Sequence, residues 1–312
     1  MQTTKIDHIT DRVSLIDLMP GIRGFQEFLC TYVLMDEKIG LVDVGPATSI
    51  GNLLKGLAAL GVSALDIDYI FITHIHIDHA GGLGALMKHM PQAKVVVHEK
   101  GKPHLVDPQR LWEGSKKALG NLASEYGEIE GMPEGSIIVV EDNMCFDLGR
   151  NMMVQALLTP GHAPHHISFL ERYENRLFLG EVGGVNVRGL IRPGTPAPFD
   201  LGRQIASLDR LIQMSPSAVC YGHFGCVEGG TKELVFHKSQ LLLWREIIAE
   251  CFAEGIPVDA IYNRIAQKDR VLKDIESLPK AQYERERFFI INSIMGFIKY
   301  FETCDASGDK ST

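Results

Sequence analysis

The fold prediction starts from the stretch Thr73-His74-Ile75-His76-Ile77-Asp78-His79-Ala80-Gly81-Gly82. It comes directly after DYIFI at 68–72, a short apolar run that predicts a strand buried on both faces. His74 and His76 then point to the same side of the chain, and Asp78 and His79 follow on the turn. Imidazole and carboxylate groups are ligands for zinc and, less exclusively, for iron or manganese. The stretch therefore predicts a metal site with ligands for two adjacent ions.

Three more candidate ligands stand at strand ends farther along the chain. His162 follows the run MMVQALLTPG, Glu181 follows LFLG, and His223 follows SAVCYG. A single histidine after a strand is more often structural than a ligand. Three strand ends that agree with the motif at 73–82 favour metal binding instead.

The periodicity of the remaining chain predicts the architecture. One strand series lies between residues 13 and 44 and a second between 136 and 182, each with helices nearby. This arrangement predicts two sheets packed face to face in a four-layer α/β/β/α sandwich. Beyond residue 230 the pattern is almost entirely helical. We therefore expect a catalytic domain at 1–228 and a C-terminal helical segment at 229–312, which caps the sheet, roofs the site or forms a homodimer interface.

The sequence resembles the metallo-β-lactamase superfamily, in the broad branch of glyoxalase II and lactonase-type hydrolases. The resemblance runs from about residue 13 to about residue 225, and THIHIDHAGG is its most specific element. It implies a first metal held by His74, His76 and His162, a second held by Asp78, His79 and His223, and a bridging Glu181.

Superfamily members usually carry aspartate where this chain has Glu181. The extra methylene displaces the carboxylate. Three alternatives follow. The carboxylate bridges the two metals at a different angle, it binds only one metal, or the bridge is lost.

The resemblance also implies the chemistry. Two divalent metal ions would hold a hydroxide that attacks a small ester, thioester or lactone-type substrate. Zinc is the first candidate for these ions, and iron and manganese are the alternatives. Asp78 would orient this hydroxide and could shuttle its proton. The alternative is a mononuclear iron dioxygenase acting on a thiol or persulfide, which a lost bridge at Glu181 would favour. A non-enzymatic metal-binding protein is a third hypothesis, although seven potential ligands exceed what binding alone needs.

The composition narrows the class of protein. A hydrophobic fraction of 45% and a charged fraction of 22% in 312 residues are typical of a globular protein with a sizeable core. The formal net charge of −8, without a basic run, argues against a nucleic-acid partner and favours a small-molecule substrate. The N-terminal segment is charged and no apolar stretch is long enough to span a bilayer. We therefore expect a cytoplasmic protein without a membrane partner.

Other histidines near the motif are candidates for supporting roles. His165 and His166 follow His162 closely, and we expect hydrogen bonds from them that orient a ligand or support the loop. His98 and His104 either line a pocket beside the site or, more often for such residues, lie in solvent.

The sequence gives few indications of how a substrate would be recognised. Lys102, Arg188 and Arg192 are candidate anchors for an anionic substrate. We expect the specificity pocket to be built from the insertion at 107–131, the segment at 185–200 and the C-terminal helices.

The six cysteines lack the paired spacing of a zinc knuckle or a C-x-x-C motif. We expect them to be reduced thiols. Cys220 and Cys226 flank His223, so a ligand role for them is a minor alternative.

Overall fold

A computed structural model describes residues 4–307 of the chain. Its strands are β1 (Ile6–His8), β2 (Val13–Asp17), β3 (Cys30–Met35), β4 (Ile39–Val42), β5 (Ile67–Phe71), β6 (Lys94–Val97), β7 (Ile137–Val139), β8 (Cys145–Gly149), β9 (Met152–Leu158), β10 (Ile167–Glu171), β11 (Arg176–Gly180), β12 (Val185–Val187), β13 (Leu190–Arg192), β14 (Ala218–Tyr221) and β15 (Cys226–Glu228). Its helices are α1 (Ile50–Ala59), α2 (Ile77–Ala80), α3 (Leu83–Leu86), α4 (Lys102–Val106), α5 (Gln109–Leu119), α6 (Asn121–Tyr126), α7 (Leu201–Gln213), α8 (Thr231–Ala253), α9 (Val258–Lys268), α10 (Arg270–Ile275) and α11 (Lys280–Ser307).

The first sheet has the strand order β1-β2-β3-β4-β5-β6-β7 within the described chain. β1 to β4 pair antiparallel, which confirms the predicted strand series after residue 13. β4, β5, β6 and β7 pair parallel, so their carboxyl ends meet at one edge of the sheet. The predicted strand at 68–72 is β5, between β4 and β6, with Tyr69 only half-buried. The histidine motif follows it at that edge.

The second sheet has the order β15-β14-β11-β10-β9-β8 in the same part of the chain. β11 and β14 are parallel neighbours, and β9 runs in their direction because β10 is antiparallel to both β9 and β11. The carboxyl ends of β9, β11 and β14 therefore lie at one edge. His162, Glu181 and His223 come after these three ends.

The two sheets pack face to face through a shared apolar core. Phe71 of the first sheet lies 5.2 Å from Phe169 of the second, and Tyr32 lies 5.1 Å from Phe178, between ring centroids. Two further buried clusters hold helices against the outer faces of the sheets. The predicted four-layer α/β/β/α architecture is confirmed.

The C-terminal helical region packs on the outer face of the second sheet. Trp244 of α8 and Ile290 and Ile294 of α11 are buried in the same cluster as Leu179 and Val219 of the sheet. The predicted helical region is confirmed, and it shares a core with the sheet. The boundary between residues 228 and 229 stays a prediction. Among the described residues no helix is both long and apolar enough to cross a membrane.

Candidate metal centre

The structure brings the seven predicted ligands together between the edges of the two sheets. His74 follows β5, His76 precedes the first residue of α2, and Asp78 and His79 lie within α2. The other three come from the second sheet. These residues form two groups of potential ligands, each with its ligand atoms within 4.8 Å of one another, and Glu181 belongs to both groups.

The first group consists of His74, His76, His162 and Glu181. His76 Nδ1 lies 3.1 Å from His162 Nε2, and His74 Nε2 lies 3.7 Å from Glu181 Oε1. Two nitrogens bound to one tetrahedral zinc ion at about 2.0–2.1 Å are separated by about 3.3 Å. The spacing of His76 and His162 therefore suits two ligands of a single ion.

The second group consists of Asp78, His79, Glu181 and His223. Glu181 Oε1 lies 3.2 Å from His79 Nε2 and 3.0 Å from His223 Nε2, and the two nitrogens are 3.4 Å apart. Asp78 Oδ2 lies 3.7 Å from His223 Nε2. The longer side chain of Glu181 thus reaches both groups, so the geometry does not require loss of the bridge.

Hydrogen bonds to the far side of three rings fix which nitrogen carries the proton. Thr73 Oγ1 donates to Asp43 Oδ2 (2.8 Å), so it accepts from His74 Nδ1 at 3.0 Å. His79 Nδ1 donates to Asp43 Oδ2 at 2.9 Å, and His162 Nδ1 donates to the carbonyl of Gly194 at 2.8 Å. In the neutral form of each ring, Nε2 therefore carries the lone pair and faces the centre, which is the form of histidine that binds metals.

The donor set fits a divalent metal on this evidence. His74 Nε2 is buried and has no hydrogen-bond partner in the described chain. A buried lone pair without a partner is costly, and a cation in the first group would satisfy it. The same cation would separate the facing atoms of His76 and His162. Imidazole nitrogens with carboxylate oxygens are the ligand types expected for such an ion.

The electrostatics favour the metal-binding form of His74, His76 and Glu181, whereas His79 must release a proton before it can bind a metal. Burial and the neighbouring imidazoles hold the pKa values of His74 and His76 well below the ordinary range. Burial also lowers the pKa of His79, but the charges of Asp78 and Asp43 outweigh it and hold that pKa well above its usual value. Burial raises the pKa of Glu181, whereas His162 and His223 lower it by more. Glu181 is therefore a carboxylate.

His166 supports the site, although not as predicted. Its Nε2 accepts a hydrogen bond from the backbone N–H of Glu181 (3.1 Å), and its Nδ1 lies 2.9 Å from Thr159 Oγ1. It thus positions the ligand as an acceptor, where we expected a donor. Gly180 has φ +58°, and a Cβ there would lie 2.5 Å from His166 Nε2 and 2.8 Å from Thr73 Cβ. Only glycine permits this close approach.

A cavity of about 710 Å³ opens beside the centre. Its lining comes from the insertion at 107–131, the segment at 185–200 and α11, as the sequence predicted for a specificity pocket. Asp78, Glu181 and His223 reach the cavity from the metal centre. His104 and His165 also line it, whereas His98 Nδ1 accepts a hydrogen bond from Lys100 N (3.0 Å).

Two of the three predicted cationic anchors lie away from the cavity. Lys102 pairs with Glu134 at 2.7 Å, and Arg188 pairs with Glu27 at 3.1 Å. The third, Arg192, lines the cavity but is buried and pairs with Glu286 of α11.

Comparisons with known proteins agree with the fold. The family model of the metallo-beta-lactamase superfamily matches residues 29–223. The Metallo-beta-lactamase fold-containing protein ST1585 of Sulfurisphaera tokodaii is 34% identical over 256 residues, which cover 80% of this chain and 92% of the relative. The chain therefore belongs to the metallo-β-lactamase superfamily, whose members are mostly metal-dependent hydrolases. The predicted glyoxalase II and lactonase branch stays a prediction.

Solved structures show the same fold. The crystal structure of ST1585 from Sulfolobus tokodaii has 34% sequence identity and a TM-score of 0.62, covering 69% of this chain and 81% of that one. The metallo-beta-lactamase family protein TTHA1429 from Thermus thermophilus has 20% sequence identity and a TM-score of 0.63. The match covers 90% of this chain and 89% of that one. At that lower identity the likeness concerns the fold alone.

Proposed function

We propose that this protein is a metal-dependent hydrolase of a small ester, thioester or lactone-type substrate. It would use two divalent metal ions, and zinc is the first candidate for both. The observation that carries the proposal is Glu181, whose carboxylate lies in both ligand groups. Each group also holds at least two imidazoles. A shared carboxylate with separate imidazoles on either side is a suitable frame for two neighbouring ions.

When bound, the metal ions supply Lewis-acid chemistry and lower the pKa of a coordinated water. The chain's own residues would do the rest. Asp78 reaches the cavity, and one of its carboxylate oxygens can accept the proton of the attacking water there. Glu181 Oε1 lies close to both His79 Nε2 and His223 Nε2, so these three residues would hold the ion of the second group together.

The iron dioxygenase alternative receives no specific support. A bridge lost through the longer Glu181 side chain would have favoured it, but that side chain lies within reach of both groups. The superfamily fold also occurs in flavodiiron proteins, such as the Flv1 core from Synechocystis. The likeness there is at 18% identity and concerns the fold alone.

The Asp78→Ala variant tests the proposal. We expect its hydrolysis of simple esters to fall by about 100- to 10,000-fold, because a positioned proton acceptor contributes about that much. Circular dichroism should show an unchanged fold. Asp11→Ala, on an exposed residue between β1 and β2, serves as the matched control and should retain full activity. Full activity in Asp78→Ala would refute the mechanism.

A further inference from the structure

The cavity beside the metal centre has a mainly apolar wall. Side chains that contribute to it include Ile75, Ile77, Leu111, Leu119, Val185 and Phe289. Its volume of about 710 Å³ is in the range that encloses a small organic molecule. Such a wall stabilises an apolar group by removing it from water.

The two arginines that line the cavity are either paired with other groups or exposed to solvent. Arg192 donates from Nε to Glu286 and from Nη1 to the carbonyl of Pro193 (3.1 Å). Glu286 also accepts from Arg285 Nε at 2.6 Å. Arg110 is exposed, so its charge is solvated. The interior of the cavity therefore favours an uncharged group over a carboxylate.

The hydroxyl of Tyr126, in the cavity wall, has no hydrogen-bond partner in the described part of the chain. Tyr126 is the last residue of α6 and has 1% of its surface exposed. Thr48 Oγ1 donates to the Tyr126 carbonyl at 3.2 Å and anchors this end of the helix. A buried hydroxyl without a partner is costly, so a ligand that accepts its hydrogen bond would be stabilised.

We propose that the substrate places an uncharged, apolar acyl group in this cavity and that the Tyr126 hydroxyl donates a hydrogen bond to its ester oxygen. The proposal rests on the proposed hydrolase function. It narrows the substrate from esters in general to neutral esters with a hydrophobic acyl chain.

A series of nitrophenyl esters with acyl chains from two to eight carbons tests the substrate class. We expect kcat/KM to rise about three- to fourfold for each added methylene until the cavity is full, as burial of that group in an apolar site predicts. Chains of equal length that end in a carboxylate should react more slowly. A preference for the carboxylate series would overturn the proposal.

Tyr126→Phe tests the hydrogen bond in the same assays. It removes only the hydroxyl, and we expect kcat/KM to fall about 10- to 100-fold, the usual effect of leaving a substrate oxygen unpaired. Tyr173→Phe is the matched control, because Tyr173 is 60% exposed in the turn between β10 and β11. Equal rates for Tyr126→Phe and the wild type would refute the role of the hydroxyl.

Binding of a non-hydrolysable ether analogue, measured by calorimetry, separates this proposal from the hydrolase function. Tight binding of the long-chain ether without turnover of any ester would contradict the hydrolase function and leave the cavity assignment intact. Turnover of esters with no gain from chain length would contradict the cavity assignment alone.

A second inference concerns two thiols in the hairpin that carries His223. Cys220 of β14 and Cys226 of β15 are register partners, and their Sγ atoms lie 3.0 Å apart. The Tyr221 N–H bond to the Gly225 carbonyl identifies them as a non-hydrogen-bonded pair, for which Cα atoms are about 4.5 Å apart. That spacing falls within the range of disulfides.

The surroundings of Cys226 favour oxidation. Arg176 Nη1 lies 3.0 Å from Cys226 Sγ, and Cys226 is half-buried whereas Cys220 is buried. Hydrogen bonding to Cys220 and the Arg176 charge lower the pKa of Cys226. A cationic neighbour and partial exposure are typical of reactive cysteines.

We propose that hydrogen peroxide oxidises this pair to a disulfide that braces the His223 hairpin. Cys226 thiolate attacks one peroxide oxygen, which releases the other as water and forms a sulfenic acid. The Cys220 thiol then attacks the Cys226 sulfur, a second water leaves, and the S–S bond forms. The two thiols together lose two electrons and two protons, and one molecule of hydrogen peroxide is reduced to two waters.

Peptide mapping of the peroxide-treated full-length protein tests this step. Trypsin releases residues 211–232 as one peptide with both cysteines and no internal Lys or Arg. We expect this peptide to lose two hydrogen atoms and to regain them with a dithiol reductant. Cys145, an exposed thiol on β8, is the internal control. A reduced pair beside an oxidised Cys145, or a stable sulfinic acid on Cys226, would refute the proposal.

Discussion

At the scale of single residues, Asp43 orders the metal centre without being among its predicted ligands. It is buried and follows β4, with a left-handed backbone at φ +56°. Its carboxylate accepts hydrogen bonds from Thr73 N (2.8 Å), Thr73 Oγ1 (2.8 Å) and His79 Nδ1 (2.9 Å). One residue therefore sets the orientation of His79 directly and that of His74 through Thr73.

Asp43→Asn tests this positioning role. Asparagine also tolerates the left-handed backbone, so the change removes the charge with little strain. We expect metal affinity to fall about 10- to 100-fold, the usual effect of removing a hydrogen-bond partner of a ligand histidine. Competition with a chromophoric chelator measures the affinity. Asp36→Asn, in the turn between β3 and β4, is the control, and equal affinities for both variants would contradict the role.

The sequence motif identified the candidate ligands but not Asp43. His74, His76, Asp78 and His79 are close in sequence, and their spacing alone predicts a shared site. Asp43 lies about thirty residues earlier, and its contact depends on β4 pairing in parallel beside β5. Sheet order is a property of tertiary structure, so periodicity could predict the strand but not the neighbour of its last residues.

At the scale of elements, the short turn between β12 and β13 could not be predicted from the local sequence. Val187 pairs with Leu190, so the turn consists of Arg188 and Gly189, which both have positive φ. Two such residues form the tight turn that suits a hairpin. Arginine is uncommon at positive φ, so the local sequence carried little signal. The turn directs Arg188 towards Glu27 and away from the cavity.

The cavity wall shows why the presence of the C-terminal helices was easier to predict than the place where each helix packs. The helical pattern after residue 230 was clear, but three roles for it remained open. In the structure α11 reaches the cavity through Phe289 and Asn292, and its Glu286 pairs with Arg192 at the end of β13. Of the three predicted roles, roofing the cavity and capping the second sheet are both observed. The homodimer stays a prediction.

At the scale of the whole molecule, the metal centre depends on the packing of two sheets. The first sheet carries His74, His76 and the residues of α2, and the second carries His162, Glu181 and His223. The sequence predicted two packed sheets and these seven candidate ligands, because the candidates either follow a clear strand or lie in the motif after β5. The substrate could not be predicted in the same way, because the cavity is lined by the insertion at 107–131 and by α11, whose sequences carry no motif.

The metal content of the purified full-length chain tests the central claim most directly. We predict two equivalents of zinc per chain by elemental analysis of protein prepared without chelators. His79→Ala should retain only the metal of the first group, because it removes a ligand of the second. A single equivalent of iron in the wild type, or a folded chain without metal, would contradict the two-metal hydrolase.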